Sequence, residues 1–195
     1  MRKVISTGIV LAVLVLISAI ASVASADTFK KETITGVEIV IKDADIEHQQ
    51  PVTKTFDTRL GTITALNNGG NIGELPDPVK LQQEIKDTAT KQLPEAGTLG
   101  ALPISGTIAP YAAHRWGPIY LLYGEVVTVS LSWYPVGSEI IIGLENRDTG
   151  VISWGPGMTG GSGTWRISVW QTGNYNVIIL NHSGQTVTYN GYISW

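Results

Sequence analysis

The chain has 195 residues, with sixteen acidic against thirteen basic side chains, a net charge of −3 and no cysteine. An acidic chain without a basic cluster excludes a nucleic-acid binder that works by neutralising phosphates and a surface tuned to anionic lipid. The lack of thiols excludes disulfides, thiol catalysis, thiolate metal sites and lipid attachment through cysteine, so stability must rest on packing and hydrogen bonds.

Met1-Arg2-Lys3 forms a short positive start, an apolar run follows from Val4 to Val23, and Ala24-Ser25-Ala26 places small residues at both positions of an A-x-A cleavage site. That order predicts a secretory signal peptide over residues 1–26. A run of roughly twenty apolar residues is also long enough to span a bilayer. However, Ser6, Thr7 and Ser18 weaken it, and no positive cluster follows to stop transfer. Cleavage and export are therefore expected, giving a secreted, extracellular product with no membrane contact afterwards. Removing 26 residues leaves 169, with eleven basic and sixteen acidic side chains and a charge of −5. That length holds one domain with a real core, or one domain and a smaller appendage.

Composition changes near residue 100. Residues 27–100 carry twelve acidic and eight basic residues and no tryptophan, whereas residues 101–195 carry four acidic residues, three arginines, no lysine and all six tryptophans. Two regions of different construction follow: a mixed N-terminal segment (27–100) and a β domain (101–195). In the first, period-two patterning predicts strands over 34–46 and about 55–66, and Asn67-Asn68-Gly69-Gly70-Asn71 reads as a loop. Asp77-Pro78 is an N-cap followed by proline at the first helical position. Leu81, Ile85, Ala89 and Leu93, spaced by four, then predict a short helix with one narrow apolar stripe, stopped by Pro94. Residues 95–106 read as a linker. Such a segment buries little by itself, so it is expected to pack on the second region, to be partly mobile, or to complete its fold in an assembly.

The second region reads as strand after strand, near 104–109, 117–123, 125–134, 138–146, 150–155, 163–170, 173–181 and 185–194. Val127, Val129, Leu131 and Trp133 share one phase; so do Trp165, Ile167 and Val169, then Tyr175, Val177 and Ile179, and finally Val187, Tyr189, Ile193 and Trp195. One buried and one solvated face per strand marks a two-layer antiparallel sandwich. Gly124, Gly137, Gly150, Gly173 and Gly184 fall at the turns, where positive φ is tolerated. The fold class is mainly β: a C-terminal antiparallel β-sandwich, jelly-roll-like, with an N-terminal strand-plus-short-helix segment.

Three stretches carry a family likeness. Gly124-Glu125-Val126-Val127-Thr128-Val129-Ser130-Leu131, then Ser138-Glu139-Ile140-Ile141-Ile142-Gly143-Leu144 with Asp148-Thr149-Gly150, and Gly173-Asn174-Tyr175-Asn176-Val177-Ile178-Ile179 together resemble the bacterial pre-peptidase C-terminal β-sandwich domain. The chain also resembles short secreted Firmicutes proteins. The likeness implies a non-catalytic accessory or adhesion module, here without the preceding peptidase, and transfers no binding residue.

Chemistry is sparse. His48, His114 and His182 have no metal-site spacing, so structural or surface roles are expected. Ser162 in Gly160-Gly161-Ser162-Gly163-Thr164 falls short of the G-x-S-x-G elbow and reads as a glycine-rich hairpin loop. Asp43, Asp45 and Glu47 alternate, which on a strand could offer oxygens to calcium; a charged strand edge explains them better. Asn181-His182-Ser183 matches a glycosylation sequon, a tripeptide that arises easily by chance. No motif asks for a cofactor. The aromatic residues carry most functional information: Trp116, Tyr134, Trp154 and Trp170 stand near glycine-proline turns or out of phase with the core. They could stack on a sugar or fill a partner's pocket, or else cap the sandwich ends. The first reading is a secreted, non-catalytic binding or adhesion module for a surface glycan or matrix protein. The second is a structural subunit of an extracellular assembly, partnered by copies of itself through N-terminal strand pairing. A hydrolase is the third, with least support.

Overall fold

The computed structural model describes residues 30–34, 37–41, 51–93 and 101–195. The expected signal peptide (1–26), Asp43, Asp45, Glu47, His48 and the stretch 94–100 lie outside the described residues. Among those described, no helix is long and apolar enough to cross a membrane.

Strands β1 (Lys30–Ile34) and β2 (Val37–Ile41) form an antiparallel pair of their own. Then follow β3 (Val52–Thr58), β4 (Gly61–Asn67), helix α1 (Pro78–Glu84) and β5 (Thr88–Lys91). After residue 100 come β6 (Leu102–Ile108), β7 (Ala113–Leu121), β8 (Val126–Tyr134), β9 (Ile140–Asn146), β10 (Ile152–Trp154), β11 (Ser162–Ser168), β12 (Gly173–Asn181) and β13 (Val187–Ser194). The larger sheet has the order β3-β4-β11-β8-β13-β6 and the smaller β10-β9-β12-β7-β5. For the eight strands from β6 onward this is the order of a jelly roll: the first, eighth, third and sixth on one sheet, the second, seventh, fourth and fifth on the other. All eight expected strands are present. The largest shift at a strand start is in β7, which begins at Ala113, four residues before its expected position.

Part of the first region joins the two sheets: β3 and β4 extend the larger one and β5 the smaller. The expected strand over 55–66 is a hairpin, β3 and β4 turning between Thr58 and Gly61, and β4 pairs antiparallel with β11. The expected helix is shorter than its stripe. Asp77 caps it, its carboxylate accepting from the amides of Val79 (2.9 Å) and Lys80 (3.3 Å), but the helix ends at Ile85. Thr88 to Lys91 then form β5, parallel to β7. The β-branched Thr88 and Thr90 favour extended backbone, and β7 offers an unpaired edge. The amide of Lys86 reaches the Tyr111 carbonyl and that of Ala113 reaches the Asp87 carbonyl, both at 2.8 Å. Ala89 and Leu93, which continue the four-residue spacing, therefore sit beyond the helix, with Ala89 exposed on β5 and Leu93 packed against the core between the sheets.

That core is filled by the inward phases of both sheets, including Val127, Val129, Trp133, Ile142, Leu144, Trp165, Tyr175, Val177 and Tyr189. Its polar atoms are matched: the Trp133 indole donates to the Ser138 carbonyl (2.9 Å) and that of Trp165 to the Pro156 carbonyl (3.0 Å). A second apolar cluster lies on the outer face of the smaller sheet. There Leu81 and Ile85 of the helical segment cover Ala113, Ile141, Trp154, Ile178 and Leu180. Of the five turn glycines, Gly124 and Gly150 have positive φ (86° and 70°), while Gly137, Gly173 and Gly184 do not. At Gly173 the constraint is space instead, since a Cβ would come within 2.7 Å of the Asp148 carboxylate.

Candidate functional site

The four aromatic residues expected to contact a ligand are dispersed over different parts of the sandwich. Trp116 faces inward from β7 at 7% exposure, and its indole donates to the Tyr189 hydroxyl at 2.8 Å. The same hydroxyl lies 2.8 Å from His114 Nδ1, which makes a buried three-residue network between the sheets. Trp154 is 5% exposed, packed over Gly143 within the cluster that α1 covers. Trp170 is half-buried, edge-on to the Tyr175 ring at 5.3 Å. Tyr134 is exposed at the end of β8, on the outer side of the larger sheet, opposite Thr188 of β13. Trp116 thus has no free ring face to offer, Trp154 reaches solvent only through the wall of a cleft, and the four form no common surface. The reason is positional: β7 already runs through Trp116, so the Gly-Pro after it marks a bulge and not a loop.

Other singled-out residues also take structural places. Asn181 is fully buried, its amide donating to the carbonyls of Ala109 (2.9 Å) and Gln185 (2.6 Å), so the sequon nitrogen is consumed in fastening two turns. Ser162 opens β11 and belongs to a strand, not the expected loop. His182 lies between two carboxylates, Nδ1 at 2.5 Å from Glu139 and Nε2 at 3.0 Å from Glu84. Among the described residues no group of three or more His, Asp or Glu is placed to hold a metal ion.

Among the described residues, two of the concavities on the surface stand out. One, of about 340 Å³, is a mainly apolar cleft lined by Thr58 to Leu60, Leu75, Pro76, Pro78 and Ile152 to Trp154. It follows the seam where the lead-in to α1 meets the edge strand β10. The other, of about 390 Å³, is a polar hollow on the outer face of the smaller sheet, lined by Thr90, Gln92, Arg115, Gly117, Pro118, Glu145, Arg147 and Asn176. A small set of fixed polar groups converging on one space is what a specific ligand site requires. The hollow has it.

Its floor is built by register. Arg115 on β7, Asn176 on β12 and Glu145 on β9 project from three adjacent strands on the side away from the core. Glu145 pairs with the Arg115 guanidinium, its Oε1 accepting from Nη2 at 3.2 Å and its Oε2 lying 2.8 Å from Nε as an ion contact outside hydrogen-bond geometry, and it accepts the Asn176 amide at 2.7 Å. The pair is mostly withdrawn from solvent, with side-chain exposures of 30% and 15%. Such a charge-assisted contact, joined on the same carboxylate by the Asn176 amide, holds its members in fixed orientation. Gly117 makes room for it, because a Cβ there would fall 2.3 Å from the Asn176 side-chain oxygen. Thr90, opposite Arg115 in the parallel ladder, and Gln92 close one wall. Arg147 is anchored through its amide to the Asn174 carbonyl (2.8 Å) while its side chain is exposed. Farther along β7, Tyr120 stands on the same outward face at 63% exposure, about 7 Å beyond Pro118 by the strand rise.

The chain is thus a jelly-roll sandwich bearing an open polar hollow on the smaller sheet. No family profile matches it, and no curated protein does. Among solved structures it is similar to PliG of Aeromonas hydrophila, described as a periplasmic lysozyme inhibitor of g-type lysozyme. The similarity has 14% identity and a TM-score of 0.42, covering 55% of this chain and 97% of that one. A likeness so distant carries neither ligand nor partner over to this chain.

Proposed function

We propose that this protein is an exported, non-catalytic binding module that holds a cell-surface or matrix glycan against the outer face of its smaller sheet. The observation that carries this reading is the Glu145-centred cluster, in which Arg115 and Asn176 are oriented beside an open hollow. Vicinal sugar hydroxyls both donate and accept, and the planar Arg, Glu, Asn and Gln groups offer paired partners for them. Tyr120 supplies an exposed ring for the apolar face of a neighbouring sugar. In the competing assembly reading the open edge of β3 would receive another chain, but Lys54 and Asp57 place charge along that edge, a feature that discourages pairing.

Calorimetric titration of residues 27–195 with a panel of bacterial and matrix oligosaccharides tests the reading. At least one class is expected to bind, and Asn176→Ala and Tyr120→Ala are each expected to weaken it about tenfold, with an unchanged melting profile for Tyr120→Ala. No binding by the wild type at millimolar sugar would sink the proposal.

A further inference from the structure

The charges around the hollow are unequal. Two guanidinium groups, Arg115 and Arg147, face it with one carboxylate, Glu145. Glu145 is committed to Arg115 through both oxygens, so that pair contributes no net charge. Arg147 remains, exposed, and among the described residues its side chain has no ion-pair partner. The nearest acidic residue in sequence, Asp148, does not line the hollow, and its carboxylate accepts the Asn174 amide at 3.2 Å at the start of β12. The hollow is therefore a net positive spot on a chain whose overall charge is −3.

We infer that the ligand is an acidic sugar bearing a carboxylate, of the uronic acid type, and that Arg147 selects it. This rests on the glycan-binding reading above and sharpens it. A guanidinium presents two parallel N–H donors that match a carboxylate, and it stays charged at any working pH. The neutral donors and acceptors of Thr90, Gln92 and Asn176 are left for the hydroxyls of the same sugar ring. A single uncompensated positive charge fits a singly charged group, and Arg147, being exposed, meets it without first leaving a buried partner.

The decisive comparison uses glucuronate- and galacturonate-containing oligosaccharides beside their carboxyl-reduced counterparts, which differ only in the charged group. At low salt the acidic form is expected to bind about tenfold more tightly, with the advantage shrinking as salt is raised. Arg147→Gln is expected to bring the ratio of acidic to reduced affinity down to about one, while Arg147→Lys, which keeps the charge, retains part of it. Equal affinity for acidic and reduced forms, or a preference that survives Arg147→Gln, overturns the inference and leaves the glycan reading standing. Failure of both forms to bind overturns the two together.

Discussion

At the scale of single residues, His114 shows what the interior does to chemistry. Its ring is 6% exposed, edge-on to Tyr189 at 5.6 Å. Burial, helped by the positive charge of Lys91, pushes its pKa from 6.5 down to about 4. The Tyr189 hydroxyl accepts the Trp116 N–H, which leaves its hydrogen to be donated to Nδ1 of a neutral imidazole. Because the folded pKa is depressed, the unfolded chain takes up a proton that the folded one refuses as pH falls from 6.5 toward 4. Stability is lost in that window. Between pH 6.5 and about pH 5, where carboxylates remain ionised, this group contributes a loss of about 1.5 kcal/mol. In His114→Gln that component should vanish from the slope of unfolding free energy against pH, measured by denaturant titration. A slope unchanged from the wild type would refute the assignment. No sequence spacing announces this network, since residues 114, 116 and 189 meet only because β7 and β13 face each other across the core.

At the scale of elements, α1 is held by its buried middle and by its C-terminal end. Leu81, 2% exposed, keys it into the apolar half of the smaller sheet, while His182 ties Glu84, its last residue, to Glu139 at the head of β9. Burial lowers the His182 pKa, but the hydrogen bonds to Glu139 and Glu84 outweigh it, and the net direction is up. The same bond to His182 holds the Glu84 carboxyl below its usual range. With a raised folded pKa, the stability that His182 contributes is present below its unfolded value and is lost as pH rises through the folded one. Hydrogen exchange of the α1 amides, corrected for the intrinsic pH dependence, should therefore quicken from mildly acidic to alkaline pH. His182→Ala should show the quickened exchange throughout. The helix start was legible in the sequence, because Asp77-Pro78 is a local signal. Its end was not: the fourfold spacing of Ala89 and Leu93 mimics a helix, and only the open edge of β7 decides that Thr88 to Lys91 become a strand.

At the scale of the whole molecule, the eight jelly-roll strands were readable because each has one buried face, which leaves a period-two trace in the residues. The hollow was not. Arg115, Glu145 and Asn176 belong to the outward phase, which the alternation marks only as solvated, and they lie about thirty residues apart until β7, β9 and β12 align them. One trace was available: Arg115 and Arg147 are two of only three arginines after residue 100. The compositional boundary at residue 100 is likewise crossed by the fold, since Ile63 and Ala65 of β4 are fully buried against the sandwich and Leu81 seals its outer cluster. Residues 101–195 alone would expose those contacts, with Ile63 and Leu81 each worth about 2 kcal/mol or more. That fragment is expected to unfold at clearly lower denaturant concentration than residues 51–195. Equal midpoints would mean that the first region adds nothing to the fold.

The wall formed by β5 has a last consequence. Thr90 stands on a strand of four residues that pairs on one side only, with β7, and Gln92 follows just after it. A strand fastened along a single edge opens more readily than the sheet it borders. The hollow is complete only while that strip is docked, so measured affinity scales with the docked fraction, and an occupant shifts the strip toward the closed state by its own binding energy. Recognition of the ligand and closure of the sheet edge are one coupled equilibrium, and occupancy should slow amide exchange in residues 88–91 ahead of any other part of the molecule.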